Sequence, residues 1–364
     1  MATVELKLPH HRYEIRIGPG LLEKVGDLVQ QVAPHHGAAL ISDQNVHRHY
    51  GPAVLGSLKQ YGYRNLRTVQ FPPGEEQKNL ESVHHLYDEL LNARLERRSP
   101  VVALGGGVIG DMAGFAAASY LRGVPFVQCP TSLLAMVDAS VGGKVGVNLP
   151  QGKNLVGAFY QPSLVVADTR TLSTLPQREL RCGLAECIKH AMIRDSDLFD
   201  WIEAHVDQIN GLEEATLLEL VSCNVAIKVS VVTEDEKESG VRAHLNFGHS
   251  FAHAIEATTR YGVGIHHGEA VSLGMVAATH FAVEAGRCDP MVLKRLRKLL
   301  VRVGLPTTTA ALAPVDQLMN TMQLDKKVAD GQIRLILPDR LGQVSIVSDS
   351  RESDVAAAWN AIRS

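Results

Sequence analysis

Cysteine is scarce in this sequence. Its 364 residues hold only five, an odd number at scattered positions, so no disulfide framework is drawn. Cys182 and Cys187, the nearest pair, lack the C-x-x-C spacing of a zinc ribbon. That usage points to a reducing compartment. Long apolar runs are missing too: no uninterrupted stretch reaches the length needed to cross a bilayer. The opening Met-Ala-Thr-Val-Glu-Leu-Lys carries no signal-peptide apolar segment, so a cytoplasmic protein without a membrane partner is expected. Net charge is only −3, which leaves no global field to draw the chain to nucleic acid. No internal repeat is visible. What is present is 45% apolar and 21% charged residues, over a length that suits two domains with substantial cores.

Taken in order, residues 1–20 alternate apolar and polar through Val4, Leu6, Leu8 and Tyr13, Ile15, Ile17, then turn at Gly18-Pro19-Gly20. This predicts two strands in a hairpin. Strands over 38–43, 66–71, 101–104, 125–129 and 164–168 alternate with helices over 21–32, 45–61, 80–95 and 112–121. Such alternation means a mostly parallel sheet. From Gln177 to about Leu305 almost every segment has helical period, and only 333–337 and 344–347 read as extended, before a last helix over 352–362. The expected architecture is an α/β domain over 1–174 followed by an all-α domain over 175–364, joined near Leu175-Pro176.

Gly105-Gly-Gly-Val-Ile-Gly110 fits G-x-G-x-x-G between a strand and a helix. Glycines there let backbone N–H groups approach a pyrophosphate at a helix N-terminus. Two details depart from the usual dinucleotide fingerprint: this is not the first strand-to-helix turn, and Asp111 follows the last glycine directly. No acidic residue ends the next strand to hold a ribose. Asp43 ends an earlier strand instead, and Glu75 with Lys78 follows another. All lie at one carboxyl edge of the expected sheet, so a dinucleotide site of unusual wiring is predicted. Residues 131–154 read as a glycine-rich loop holding Asp138, Lys144, Lys153 and Asn154. Lysines beside glycines suit phosphate or carboxylate, the alternative being a solvated surface loop.

His249 and His253 are four apart, which stacks two imidazoles on one helical face. His266 and His267 follow, and an upstream helical segment holds Glu186, Lys189 and His190. Three convergent donors with one open position would make a catalytic divalent-metal site. The bland reading is capping or core histidines. Arg242, Asn246 and Lys228 nearby favour a site, since so polar a face in an apolar sequence needs a reason. Together these features imply hydride chemistry on an anionic substrate, with a metal as Lewis acid.

Several stretches together resemble the 3-dehydroquinate synthase family: Gly105 to Asp111, Thr131 to Lys144, Gly183 to Lys189, Asp235-Glu-Lys-Glu, Arg242 to His253, and His267-Gly-Glu269. The likeness runs in order over nearly the whole chain. It implies an N-terminal Rossmann-like domain and a C-terminal helical metal-binding domain. It implies Zn²⁺, with Co²⁺ as an alternative, on Glu186, His249 and His267, and makes His253 a polar group near substrate rather than a ligand. It places NAD against Asp43, Glu75, Lys78, Gly107, Val108, Gly110, Asp111, Thr131, Ser132, Lys144, Lys153, Thr171, Leu172 and Thr174. The substrate shell it implies is Asp138, Lys144, Asn154, Lys189, Lys228, Arg242, Asn246 and His253. Arg122 resembles an arginine that reaches phosphate across a homodimer. A late site lysine matches Lys326 or Lys327.

The activity so implied is a step of the shikimate pathway to aromatic amino acids. Transient oxidation of 3-deoxy-D-arabino-heptulosonate 7-phosphate lets phosphate leave; reduction, ring opening and an aldol step then close the carbocycle. A sister sugar-phosphate cyclase is disfavoured by Arg242, Asn246, His253 and the Asp325-Lys-Lys stretch. A polyol dehydrogenase would lack the Lys144, Lys153 and Asn154 set, and a non-catalytic scaffold would not retain the metal and cation residues.

Overall fold

A computed structural model describes residues 1–238, 240–259, 264–326, 334–348 and 350–364, with backbone alone for 324–326. Two compact units divide the chain: Met1–Pro176 with Glu214–Glu236, and Gln177–Glu213 with Lys237–Ser364.

The first unit is built on a seven-stranded sheet. Its strands are β1 (Ala2–Lys7), β2 (Arg12–Gly18), β3 (Gly37–Asp43), β4 (Asn65–Phe71), β5 (Val101–Gly105), β6 (Phe126–Pro130) and, later in the chain, β9 (Leu164–Asp168). They lie in the order β1-β2-β9-β6-β5-β3-β4. Only the β1–β2 hairpin is antiparallel; every other pairing is parallel. Successive residues of a strand face opposite ways. Ala38, Leu40, Val102 and Leu104 therefore join one buried layer with helices α1 (Val25–Val32) and α2 (Gln44–Gln60). Ala39, Ile41, Val101 and Ala103 join the other, under α3 (Leu80–Asn92) and α4 (Gly107–Ser119). Burial on both faces explains why these strands read as continuous apolar runs.

Two elements differ from the sequence expectation. Helix α4 starts at Gly107, not Met112, so the glycine motif forms its first turn. Glycine's poor helix propensity hides this start. The stretch over 131–154, read as a loop, is ordered: a π-helical turn at Ala135–Ala139 precedes an antiparallel hairpin, β7 (Lys144–Leu149) and β8 (Gly152–Phe159). Gly146 faces Gly157 across it so closely that a Cβ on Gly157 would sit 2.2 Å from the Val145 carbonyl oxygen. Glycines that signal a loop in sequence here permit close backbone approach.

The second unit is largely helical: α5 (Gln177–Arg194), α6 (Ser196–Ala204), α7 (Val206–Asn210), then α9 (His249–Thr258), α10 (His267–Glu284), α11 (Pro290–Arg302), α12 (Val315–Lys326) and α13 (Glu352–Asn360). The expected extended segments pair as an antiparallel hairpin, β10 (Leu335–Arg340) and β11 (Gln343–Val347); Ile333 lies outside the described residues. Between α7 and α9 in sequence, α8 (Glu214–Glu234) groups with the first unit. It is apolar enough, at mean hydropathy 1.7, to match a bilayer span by composition. Yet it packs on β1 and buries Asn224 and Lys228, polar groups that need protein partners.

Candidate active site

In the first unit, polar groups gather at the carboxyl ends of the strands. Asp43 ends β3, and its carboxylate caps α2 by accepting from the N–H groups of Asn45 (2.9 Å) and Val46 (3.0 Å). Gly106 is the N-cap of α4. A Cβ on Gly106 would come no nearer than 3.6 Å to protein, at Ser132 Oγ, and one on Gly107 no nearer than 3.4 Å, at Ala139. Packing does not demand glycine there. A side chain would instead fill the space over the first N–H groups of α4, which is the cradle a phosphate needs. Thr131 is tied to this turn by its N–H to the Gly105 carbonyl at 3.0 Å.

Beside the turn, Lys78 is 5% exposed and donates to Asp111 and, at 2.6 Å, to Asn154 Oδ1. Asn148 extends the network by donating to Glu75 at 2.8 Å and accepting from the Asn154 N–H at 2.9 Å. Asn154 sits at φ 55°, a left-handed backbone that asparagine tolerates. Burial lifts the Asp111 carboxyl above its usual range; Lys78 opposes the rise and Glu75 adds to it. Nothing in the sequence marks Asn148, a single asparagine in a hairpin. Lys144 opens β7, exposed, and Lys153 lies on β8. Thr171 and Leu172 are buried, the Thr171 hydroxyl donating to the Asp168 carbonyl, while Thr174 Oγ1 meets the Tyr50 hydroxyl at 2.6 Å. From α8, the Lys228 ammonium donates to both the carboxylate and the carbonyl oxygen of Asp138. Arg122 is exposed on a turn where Leu121 and Arg122 are both left-handed, at φ 49° and 66°.

In the second unit, three elements bring Glu186, His249 and His267 together, with ligand atoms within 4.8 Å of one another. Glu186 lies mid-α5 and is fully buried. Gly248, left-handed at φ 79°, starts α9, and a Cβ on Gly274 of α10 would sit 2.1 Å from the Gly248 carbonyl oxygen. That close crossing sets His249, first in α9, beside His267, first in α10. Nε2 of His249 is 3.7 Å and Nε2 of His267 3.5 Å from the same Glu186 oxygen. Two donors about 2.1 Å from one tetrahedral ion stand about 3.4 Å apart, so the spacing fits a shared cation better than a hydrogen bond. Each remaining ring nitrogen is oriented: Nδ1 of His249 faces the Phe247 carbonyl at 3.2 Å and Nδ1 of His267 the Glu256 carboxylate at 3.4 Å. Such partners fix which nitrogen faces a metal.

The electrostatics agree with a cation site. Burial raises the Glu186 carboxyl, but Lys189, His267 and His249 outweigh it and hold it well below the usual range. Burial holds His249 down at about 3, against the pull of Glu186. Burial opposes charge on His267 as well, yet Glu186 and Glu256 push it up to about 10. Lys189 is 1% exposed and pairs with Glu186 one turn along α5. His253 is not in the converging group; it lies edge-on to His249, ring centroids 5.6 Å apart, and is exposed. His266 instead faces Glu179, and Glu269 is held by Arg178 through two bonds of 2.7 Å. Arg242 is 2% exposed, and Asn246 donates to Glu238 at 2.7 Å. Lys326 ends α12 with its side chain undescribed, and Lys327 lies outside the described residues. The sequence signals Glu256 only by its place on the face of α9 that carries His249 and His253.

Residues 68–182 match the model of the 3-dehydroquinate synthase N-terminal region, and residues 183–328 that of the C-terminal region. The chain belongs to the 3-dehydroquinate synthase family. The 3-dehydroquinate synthase of Rippkaea orientalis is 47% identical to it over 97% of this chain and 96% of that one. Among solved structures, a 2-epi-5-epi-valiolone synthase from Streptomyces hygroscopicus with NAD⁺ and Zn²⁺ bound is 28% identical, covers 98% of each chain and has a TM-score of 0.89. A 2-deoxy-scyllo-inosose synthase complexed with carbaglucose-6-phosphate, NAD⁺ and Co²⁺ is 26% identical, covers 98% of this chain and 99% of that one, also at 0.89. The 3-dehydroquinate synthase relative is thus far nearer in sequence than these sister cyclases of the same fold.

Proposed function

We propose that this chain is a 3-dehydroquinate synthase, converting 3-deoxy-D-arabino-heptulosonate 7-phosphate to 3-dehydroquinate and phosphate. The observation that carries the reading is the convergence of Glu186, His249 and His267, with Lys189 against them, in a member of that family. The donor set of one carboxylate and two imidazoles, each ring held from behind, fits Zn²⁺, with Co²⁺ an alternative. The open glycine turn with Asp43, Glu75, Lys78 and Asp111 fits NAD. When bound, the dinucleotide supplies reversible hydride transfer and the cation Lewis acidity.

The chain's residues bind, orient and handle protons. Lys189, buried and cationic beside Glu186, holds a proton where oxygen charge develops. His253, exposed next to His249, exchanges protons with solvent. The buried Arg242 offers the substrate carboxylate a planar two-pronged donor. Lys144 and Asn154 suit the phosphate, Lys153 the dinucleotide, and Asp138 keeps the Lys228 ammonium oriented. The substrate's own phosphate accepts the neighbouring C–H proton as it leaves. A homodimer completed by Arg122 and a cytoplasmic setting belong to the same reading.

The test is phosphate release without net NADH accumulation. Heptulosonate phosphate should turn over and sedoheptulose 7-phosphate should not. A chelator should stop the reaction, and added zinc should restore it. Net NADH production, or preference for sedoheptulose 7-phosphate, would replace this reading with a dehydrogenase or a sister cyclase.

A further inference from the structure

A second set of donors lies on the same two helices. Glu179 and Cys182 are three apart on α5, so they share a face, and Glu186 continues it one turn on. His266 immediately precedes His267 as the N-cap of α10. The Glu179 carboxylate, the Cys182 sulphur and a ring nitrogen of His266 lie within 4.8 Å of one another, with His266 Nδ1 3.0 Å from Glu179 Oε1. None of the three is used by the Glu186 centre. Cys182 is only 2% exposed, while the Glu179 and His266 side chains are 43% and 28% exposed. The sulphur is thus built into the protein and the other two donors open to solvent.

The surroundings suit a thiolate, at the start of α10 and with the Arg178 guanidinium close by. The backbone N–H groups of Gly268 and Glu269, in the first turn of α10, pull the Cys182 thiol down against the effect of burial, which favours a thiolate. Gly268 is packed so tightly on α5 that a Cβ would fall 2.3 Å from the Cys182 Cα, which holds the α5 backbone against that helix start. Burial, and after it the Glu179 carboxylate, push the free thiol up to about 12, and an ion bound there would displace its proton.

We propose that Glu179, Cys182 and His266 form a second divalent-cation site, selective for a thiophilic ion such as Zn²⁺ and leaving one coordination position to water. One thiolate, one imidazole and one carboxylate are a borderline-soft set that favours zinc or cobalt over magnesium or calcium. Filling it cross-links α5 to the start of α10 beside His267. The site stands apart from the proposed activity, because its donors are separate.

Cobalt(II) tests it. Full-length protein already holding one equivalent of zinc is titrated with cobalt(II). One further equivalent should bind with a sulphur-to-cobalt charge-transfer band, and thermal stability should rise. Cobalt exchanging into the Glu186 centre gives no such band, since that centre has no thiol. Cys182→Ser should lose the band, the added equivalent and the thermal gain, while keeping the first zinc and a native melting curve. Glu179→Gln, at a solvent-facing position, should lose the added equivalent without disturbing the core. A titration with no thiolate band, or a band that survives in Cys182→Ser, would overturn the proposal.

Discussion

His267 presents one ring nitrogen to Glu186 at 3.5 Å and the other to Glu256 at 3.4 Å. The second carboxylate is 3% exposed and lies behind the imidazole, away from the converging donors. It orients the ring and makes the facing nitrogen a better donor. Glu256→Gln should therefore weaken metal binding by roughly tenfold to a hundredfold with the fold intact. Competition with a chelator, alongside a melting curve, measures this. An unchanged affinity would remove Glu256 from the site.

Metal binding should depend on pH through His267. Its imidazolium persists up to about 10 without metal, whereas His249 is neutral above about 3 and Glu186 is ionised. One proton must then leave His267 for each ion bound. Affinity should rise about tenfold per pH unit from 6.5 to 8.5. Chelator competition, corrected for the chelator's own protonation, checks the slope. A flat profile would mean that His267 binds no proton in that range.

The Lys78–Asp111 pair should matter for stability as well as for cofactor binding. Lys78→Met removes the ammonium and strands a carboxylate that burial already disfavours. The expected cost is about 3 kcal/mol, with NAD affinity falling in parallel. Lys78→Met with Asp111→Asn should recover part of the stability, because no unpaired charge is left. Urea melts of the single and double variants test it, and equal losses would argue against coupling.

Arg242→Ala should lower kcat/KM by roughly tenfold to a hundredfold, the worth of hydrogen bonds to a charged group. Arg242→Lys should restore little, since an ammonium cannot reproduce the planar fork. Steady-state kinetics on protein shown to be folded decide it. Full rescue by lysine would reduce the role of Arg242 to charge alone.

The sheet and helices were legible in sequence because their buried faces repeat at the periods of strand and helix. The glycine turn, the cations and the individual histidines were legible as residue types, and the family likeness runs the length of the chain. Local periodicity did not show that 131–154 contains a hairpin, because Gly146 and Gly157 serve close approach there rather than looseness. Nor did it show that α8 joins the first unit, carrying Lys228 to Asp138.

Spacing alone pairs His249 with His253, since four residues on a helix share a face. The fold instead sets His249 with His267 and Glu186, because glycines at 248 and 274 let two helices cross with their backbones almost touching. Which side chains a helix can offer is a local property of the sequence. Which of them meet at one point depends on how closely separate helices approach, and only the packed tertiary structure decides that.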